Sequence, residues 1–339
     1  MNVKKIVVSF LLIINMLLLT SCGATNNDVM DFVNPKVTFE PVSNSFYYDQ
    51  LEEKEIKVFE SIMAQCNTHR GGVIELEEPI SVRSFLRLCY TFNYDEEHQY
   101  WPLVTLYPYN AQNQEVQELA EGNVISKIYV QLAESEENNA LEDFRFEHSK
   151  EKVLLNEKEL LHILENNTMT EEYYNERSEE IAELEAQIIA EMPKDIRQKE
   201  AVFYFCNWIR ENMQYDLDVF ELCMSMESLE PYAHLRYSEV SFEQCIINRK
   251  ALCGGFAIIA ADLCNQVGIP AYVAIGVVDV NGQSENHGWL AVEIGGKTLY
   301  IDPTFVSGMG RMDSLAPKRD MERRRADGRQ YTFTEVFEY

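Results

Sequence analysis

The chain has 339 residues, which is enough for two domains of about 100–200 residues each. Its formal net charge of -27 argues against nucleic acid, or a bare anionic bilayer surface, as its main partner. Eight cysteines in a chain of this size make disulfides optional, and neither they nor the six histidines have the spacing of a zinc site, so we expect no cofactor.

The N-terminus has the layout of an export signal. Lys4 and Lys5 precede an apolar run, Ile6–Leu19, that is too short for a membrane span of about 20 residues. The run ends in Leu19-Thr-Ser-Cys22, which resembles the lipobox read by bacterial lipoprotein signal peptidase. We therefore expect residues 1–21 to be a signal peptide and Cys22 to carry a lipid that anchors the protein to the outside of the cell membrane. An uncleaved transmembrane anchor is the alternative.

A tether and a small domain are predicted next. Residues 22–45 are polar with few periodic apolar positions, which is typical of a tether. Residues 46–165 combine one helix, over Gln50–Cys66, with short strand-like runs. This pattern predicts a small α+β domain, and it contains no chemical motif.

A second domain is expected over residues 170–339 and opens with two helices. The first, over residues 171–191, is acidic with a narrow apolar stripe. Pro193 ends it, and a second helix over residues 195–213 buries Val202, Phe205 and Ile209.

The next helix carries a cysteine at its start. It begins within Ala251-Leu-Cys-Gly-Gly and ends at Gly268-Ile-Pro, so Cys253 lies in or near the first turn. There, unpaired backbone N–H groups and the helix dipole favour a thiolate and could also bind an oxyanion. Taken alone, Cys253 could equally be a structural thiol beside two closely packed glycines.

Three strands are predicted after this helix. Ala271–Val280 is rich in β-branched residues, and Asn281-Gly282 opens a loop after it. The strands His287–Ile294 and Lys297–Asp302 then flank a Gly295-Gly296 turn.

The loop length of this last hairpin decides whether His287 and Asp302 can meet. A loop of two or four residues pairs residues whose numbers sum to 591, so Asp302 faces Trp289 and lies diagonal to His287 on the same sheet face. A three-residue loop would reverse the parity and separate them. Taken singly, His287 could be an ordinary strand residue and Asp302 a turn residue before Pro303.

Together these segments resemble the transglutaminase-like superfamily. The motifs are Cys253-Gly-Gly-Phe-Ala, Gly268-Ile-Pro, His287-Gly-Trp and Tyr300-Ile-Asp-Pro-Thr-Phe, within roughly residues 195–305. The resemblance implies an α+β fold with a papain-like core, in which the helix with the cysteine packs on an antiparallel sheet that carries histidine and aspartate, after a smaller α+β domain. It also implies a triad of Cys253 as nucleophile, His287 as general base and then acid, and Asp302 as the residue that orients His287.

Three positions depart from the family pattern. Gly288 stands where Ala is common, Leu290 where a polar residue is common, and Phe305 where Trp is common. These positions affect substrate contacts more than the chemistry. The sequence leaves the side-chain oxyanion donor open among Gln244, Asn248 and Trp289.

The expected function follows from the triad. Cys253 would attack an amide and form a thioester, and we favour hydrolysis of a peptide-like amide in a protein or peptide substrate at the cell surface. A protein cross-linking transglutaminase, or a surface binding module that keeps only the fold, are the alternatives. An intact triad favours the enzyme.

A basic stretch near the C-terminus interrupts the acidic chain. We interpret it as a surface loop that neutralises the acidic body, with a docking site for an anionic wall or lipid polymer as the alternative. Its cations are Arg311, Lys318, Arg319, Arg323, Arg324, Arg325 and Arg329.

Overall fold

The computed structural model describes residues 33–68, 71–95, 104–112, 114, 116, 122–132, 171–217, 220, 245–305 and 315–339. The predicted signal peptide and Cys22 lie outside these residues, as does Gln244. The two larger sheets of the described chain are antiparallel and packed by helices, which confirms the α+β class. We find no helix among the described residues whose length and apolar character would let it cross a membrane.

The first sheet and two helices form one hydrophobic core. The sheet has the strand order β1-β3-β2, and both helices bury an apolar side against it. The elements are α1 (Glu53–Cys66), β1 (Gly72–Ser81), α2 (Val82–Tyr94), β2 (Val104–Tyr109) and β3 (Val124–Leu132).

Helix α2 shows that the prediction of a single helix in this region was wrong. Ser81 caps its N-terminus by accepting a hydrogen bond of 3.1 Å from the Ser84 N–H. Phe85, Leu88 and Phe92 recur at helical spacing and are buried in the first core. The helix therefore follows strand β1 without a loop, and a serine cap replaces the Gly or Pro signal that would mark the change.

The predicted tether is packed against the second core in its described part. The Val42 N–H donates to the Asn265 carbonyl at 3.0 Å, and the Val37 N–H donates to the Ile196 carbonyl at 3.3 Å. Lys36 also bridges Arg197 in a short antiparallel contact. Residues 33–45 thus lie along the folded body, since backbone hydrogen bonds can hold a segment that has few apolar side chains.

The second part of the chain is built around a four-stranded sheet. The strand order is β8-β7-β6-β9, and the helix that begins at Cys253 packs on one face. The elements are α3 (Glu171–Ala190), α4 (Gln198–Asn212), β4 (Gln214–Tyr215), α5 (Cys245–Asn248), β5 (Lys250–Ala251), α6 (Cys253–Gln266), β6 (Ala271–Val280), β7 (Gln283–Ile294), β8 (Lys297–Ile301), α7 (Lys318–Met321) and β9 (Arg329–Phe333).

Two tight turns fix the register of this sheet. Gly295 and Gly296 have φ values of +58° and +74°, as a two-residue type I′ turn requires. Leu290 pairs with Ile301, so the predicted sum of 591 is confirmed. Asn281-Gly282 is also a two-residue turn, with Val280 paired to Gln283, so β7 begins at Gln283 and the predicted start at His287 was too late.

The C-terminal residues join the two parts of the molecule. Arg83 donates to the Glu335 carbonyl at 2.8 Å, and Arg87 donates to the Val336 carbonyl at 3.0 Å. The Tyr339 hydroxyl accepts the Ile275 N–H of β6 at 3.2 Å. Residues 335–339 therefore contact helix α2 of the first core and the sheet of the second.

Candidate active site

Cys253 is the first residue of helix α6. Leu252 precedes it in an extended conformation, and the first hydrogen bond of the helix runs from the Phe256 N–H to the Leu252 carbonyl at 3.1 Å. The N–H groups of the first turn have no carbonyl within the helix to accept them. The Cys253 side chain is partly exposed, whereas Cys264 in the same helix is buried.

His287 joins Cys253 to Asp302. His287 Nε2 lies 2.7 Å from Asp302 Oδ2, and both side chains are buried. Because Asp302 occupies Nε2, the imidazole has Nδ1 left for the thiol, with which it also hydrogen-bonds. The structure therefore brings the three predicted residues together with His287 in the middle.

The electrostatic environment favours the charged forms of Cys253, His287 and Asp302. Burial alone would raise the pKa of the Cys253 thiol, but the charge and hydrogen bond of His287 and the Gly288 N–H outweigh it and lower this pKa. Burial opposes the charge on His287, yet Asp302 and Cys253 raise the His287 pKa. The pKa of Asp302 is lowered to about 2, because His287 and other donors outweigh burial. The arrangement thus stabilises a thiolate beside an imidazolium.

Strand β7 lies close to the start of helix α6 at Gly288. A Cβ atom at Gly288 would stand 3.5 Å from Gly254 Cα and 3.4 Å from Val273 Cγ1. This is ordinary contact distance, so the alanine that the family often has would fit, whereas a larger side chain would push helix and strand apart.

Strand β9 supplies two residues that sequence reasoning missed. The Tyr331 hydroxyl donates to Asp302 Oδ2 at 2.7 Å, and Arg329 donates to the Tyr331 oxygen at 3.1 Å. Both side chains are buried. Arg329 was therefore wrongly grouped with the basic surface stretch, since a count of charges does not separate it from its exposed neighbours. The alternation of apolar and polar residues over Arg329–Phe333 is the signal that could have found the strand.

Aromatic rings surround His287. The Trp289 ring stacks nearly parallel to the imidazole of His287, with 6.2 Å between the ring centroids. The centroid of the Phe305 ring lies 5.5 Å from that of the imidazole. Trp289 is fully buried between Tyr331 and Phe333, and its Nε1–H has no hydrogen-bond partner among the described residues. Trp289 thus supports the imidazole ring. Of the other oxyanion candidates, Gln244 lies outside the described residues, and the side chain of Asn248 does too.

The first core also reaches the site. Tyr94, the last residue of helix α2, packs against the core that contains helix α6. Burial raises the Tyr94 pKa, and the nearby Cys253 thiol raises it further. The first part of the chain thus contributes a side chain beside the nucleophile.

The described residues contain no group of three His, Cys, Asp or Glu side chains that could hold a metal ion. The triad itself supplies a thiol, an imidazole and a carboxylate. In this arrangement the thiolate can attack a carbonyl carbon, and the imidazolium can protonate the leaving group.

Comparison with known proteins relates part of this chain to one family and finds distant solved structures. A solved TGase structure is 18% identical with a TM-score of 0.31, and the match covers 62% of this chain and 48% of the TGase, so the chain spans about half of its length. A candidate cysteine protease from Cytophaga hutchinsonii is 13% identical with a TM-score of 0.29, over 78% of this chain and 74% of that protein. No curated protein matches the chain. Residues 183–303, which include Cys253, His287 and Asp302, match the model of the transglutaminase-like superfamily, and this segment is a transglutaminase-like domain.

Proposed function

We propose that the protein is a cysteine-dependent acyl-transfer enzyme that hydrolyses a peptide-like amide through a thioester. One observation carries this proposal: a partly exposed thiol at a helix start is hydrogen-bonded to a histidine that is itself held by a buried aspartate. A binding module would not need a histidine that can titrate, held by an aspartate, beside a partly exposed thiol.

In the proposed reaction the Cys253 thiolate adds to the amide carbonyl, and the helix-start N–H groups stabilise the oxyanion. The C–N bond breaks as His287 gives its proton to the leaving amine. His287, now neutral, takes a proton from water, and the hydroxide adds to the thioester. The carboxylic acid leaves and Cys253 is restored. If a primary amine replaces water in the last step, the product is a cross-link.

Thiol reactivity tests the nucleophile without a known substrate. At about pH 6 we expect iodoacetamide to alkylate Cys253 first, because only a thiolate reacts at a useful rate. Cys89 is the matched control, since it is also partly exposed but burial raises its pKa to about 12. Peptide mass spectrometry after short exposures measures both. If Cys253 reacts no faster than Cys89, the enzyme proposal gives way to a surface binding module.

Product analysis separates hydrolysis from cross-linking. Purified protein is incubated with a mixture of peptides and proteins, with and without a labelled primary amine. Peptide fragments or released ammonia without incorporation of the amine support hydrolysis, whereas covalent incorporation supports a transglutaminase. Cys253→Ala is the control and should abolish either product.

We also propose that the protein is a lipoprotein on the outside of the cell membrane, with protein or peptide substrates at the cell surface. The support is the lipobox-like sequence before Cys22. Cys22→Ala should leave an uncleaved precursor or release the protein from membranes. Unchanged size and unchanged partitioning into detergent would contradict the anchor.

A further inference from the structure

Strand β9 places a buried polar pair behind the triad. It pairs with β6, with Tyr331 opposite Val278. Arg329, Tyr331 and Phe333 alternate along it and are buried, and Tyr331 and Phe333 contact Trp289, which lies on the same face as His287. The strand lies beyond residues 183–303, so the match to the family model does not include it.

The hydrogen bonds of this pair have only one possible direction. Arg329 Nη1 lies 3.1 Å from the Tyr331 oxygen, which lies 2.7 Å from Asp302 Oδ2. A guanidinium can only donate, so the Tyr331 oxygen accepts from Arg329 and turns its own hydrogen toward Asp302. Both bonds involve a charged partner, which makes them stronger than neutral hydrogen bonds.

The buried Asp302 carboxylate accepts hydrogen bonds from three donors. Oδ2 accepts from His287 Nε2 and from Tyr331, both at 2.7 Å, and Oδ1 accepts the Thr304 N–H at 2.9 Å. The side chain is fully buried. Each donor therefore replaces a water molecule, and loss of one would leave the carboxylate desolvated without compensation.

Arg329 is itself held in place. Its Nε donates to Asp327 Oδ2 at 3.0 Å, and its guanidinium lies 4.9 Å from the centre of the Phe305 ring. Phe305 also contacts the His287 ring. The guanidinium thus has little freedom to turn away from Tyr331.

We propose that Tyr331 is a positioning residue of the triad, and that Arg329 fixes the direction of its hydroxyl. The inference rests on the proposed function. Because Tyr331 donates to the ionised form of Asp302, it keeps this carboxylate charged at pH values at which an equally buried carboxyl group without the donor would be protonated. The charged Asp302 then stabilises protonated His287, and through it the Cys253 thiolate.

Other charged groups face these residues and must stay unchanged in a test. Glu285 interacts with His287, Tyr94 with Cys253, and both Arg325 and Arg329 with Asp327. A variant that removes only the Tyr331 hydroxyl leaves all of them in place.

The test compares Tyr331→Phe with Tyr300→Phe in the full chain. Tyr300 is a matched control because it is buried in the same cluster but hydrogen-bonds Tyr272 rather than Asp302. The rate constant for alkylation of Cys253 by iodoacetamide is measured from about pH 4 to about pH 9. We expect Tyr331→Phe to slow alkylation about threefold near pH 4 and not measurably near pH 8, with Tyr300→Phe close to wild type.

A second change at position 331 keeps the proposal testable if the Tyr331→Phe variant does not fold. Incorporation of 3-fluorotyrosine at position 331 keeps the shape and makes the hydroxyl a stronger donor, so the acid limb of the profile should move to lower pH. A purely structural tyrosine would not move it. If wild-type Cys253 is reactive and neither change at position 331 moves the acid limb, the inference is wrong while the proposed function stands. If wild-type Cys253 reacts no faster than Cys89, the proposed function fails first.

Discussion

Each of the two hydrophobic cores contains a buried ion pair, and the two pairs have different roles. In the first core, Arg87 Nε lies 2.9 Å from Glu55 Oε2, and Glu55 also accepts the Glu52 N–H at 2.8 Å to complete a helix cap. In the second, His287 lies 2.7 Å from Asp302. Geometry and burial are similar, so neither distinguishes a site from a structural contact.

The difference lies in the cation and in what it faces. Arginine stays protonated at any ordinary pH and donates in a fixed geometry, so the Arg87 pair can only hold helices α1 and α2 together. Histidine can give up its proton, and His287 also faces a partly exposed thiol. A buried pair thus becomes a candidate site when its cation can titrate and a nucleophile lies beside it.

Asp302→Asn should have the largest effect. The amide offers an N–H where His287 needs an acceptor, so the imidazole loses its orientation and its stabilising charge. We expect the fold to persist, and alkylation of Cys253 at about pH 6, like any turnover, to fall about 10³-fold. Peptide mass spectrometry measures the alkylation rate of Cys253, and thermal unfolding shows whether the fold persists. A rate within twofold of wild type would remove Asp302 from the mechanism.

Arg87→Met tests the other side of the comparison. Glu55 would remain buried without its cation, so the free energy of unfolding should fall by about 3–5 kcal/mol, as measured by urea denaturation. The alkylation rate of Cys253 in the folded fraction should not change. The double variant Glu55→Gln, Arg87→Met should recover part of the loss. If Arg87→Met left the free energy of unfolding unchanged but sharply lowered the alkylation rate of Cys253, the Arg87–Glu55 pair would also support the active site.

Acid titration should reveal the charged Asp302. Its pKa is lowered from 3.8 to about 2, because His287 and other donors outweigh burial, so it stabilises the fold above about pH 4. This contribution, about 2 kcal/mol, should disappear as the pH falls from about 4 to about 2. The difference in unfolding free energy between wild type and Asp302→Asn should shrink over this window. A constant difference would mean that Asp302 is not held in its charged form.

Gly288→Ala should have the smallest effect. The new methyl group would meet its neighbours at ordinary contact distance, so we expect less than about 1 kcal/mol of destabilisation and a Cys253 alkylation rate within about threefold. Gly276→Ala is the contrasting control, because its Cβ would lie 2.0 Å from the Thr332 carbonyl oxygen and would force β6 and β9 apart. Similar outcomes for the two glycines would contradict this account of the close approach.

Local sequence was enough to predict the features that depend on neighbouring residues. The end of helix α6 and the hairpin register both follow from short signals, the Gly-Ile-Pro stop after the helix and the two glycines of the turn. The register of the hairpin is enough to predict that His287 and Asp302 lie on one face of the sheet. This part of the site is encoded within a few dozen residues.

The residues that contact the triad from other elements reach it only through contacts between distant parts of the sequence. Tyr331 reaches Asp302 only because β9 pairs with β6, and Tyr94 reaches Cys253 only because the two cores pack together. No local spacing specifies either contact. Helix α2 was missed for a different reason, because strand and helix meet at Ser81 without an intervening loop.

The place of β9 in the chain has a consequence for timing. Tyr331 follows Asp302 by 29 residues, so on the ribosome the Cys253 helix and the hairpin with His287 emerge before the strand that completes the surroundings of Asp302. Until β9 pairs with β6, Asp302 lacks the hydrogen bond from Tyr331. If Tyr331 positions the triad, Cys253 reaches its full reactivity at low pH only after β9 has paired with β6.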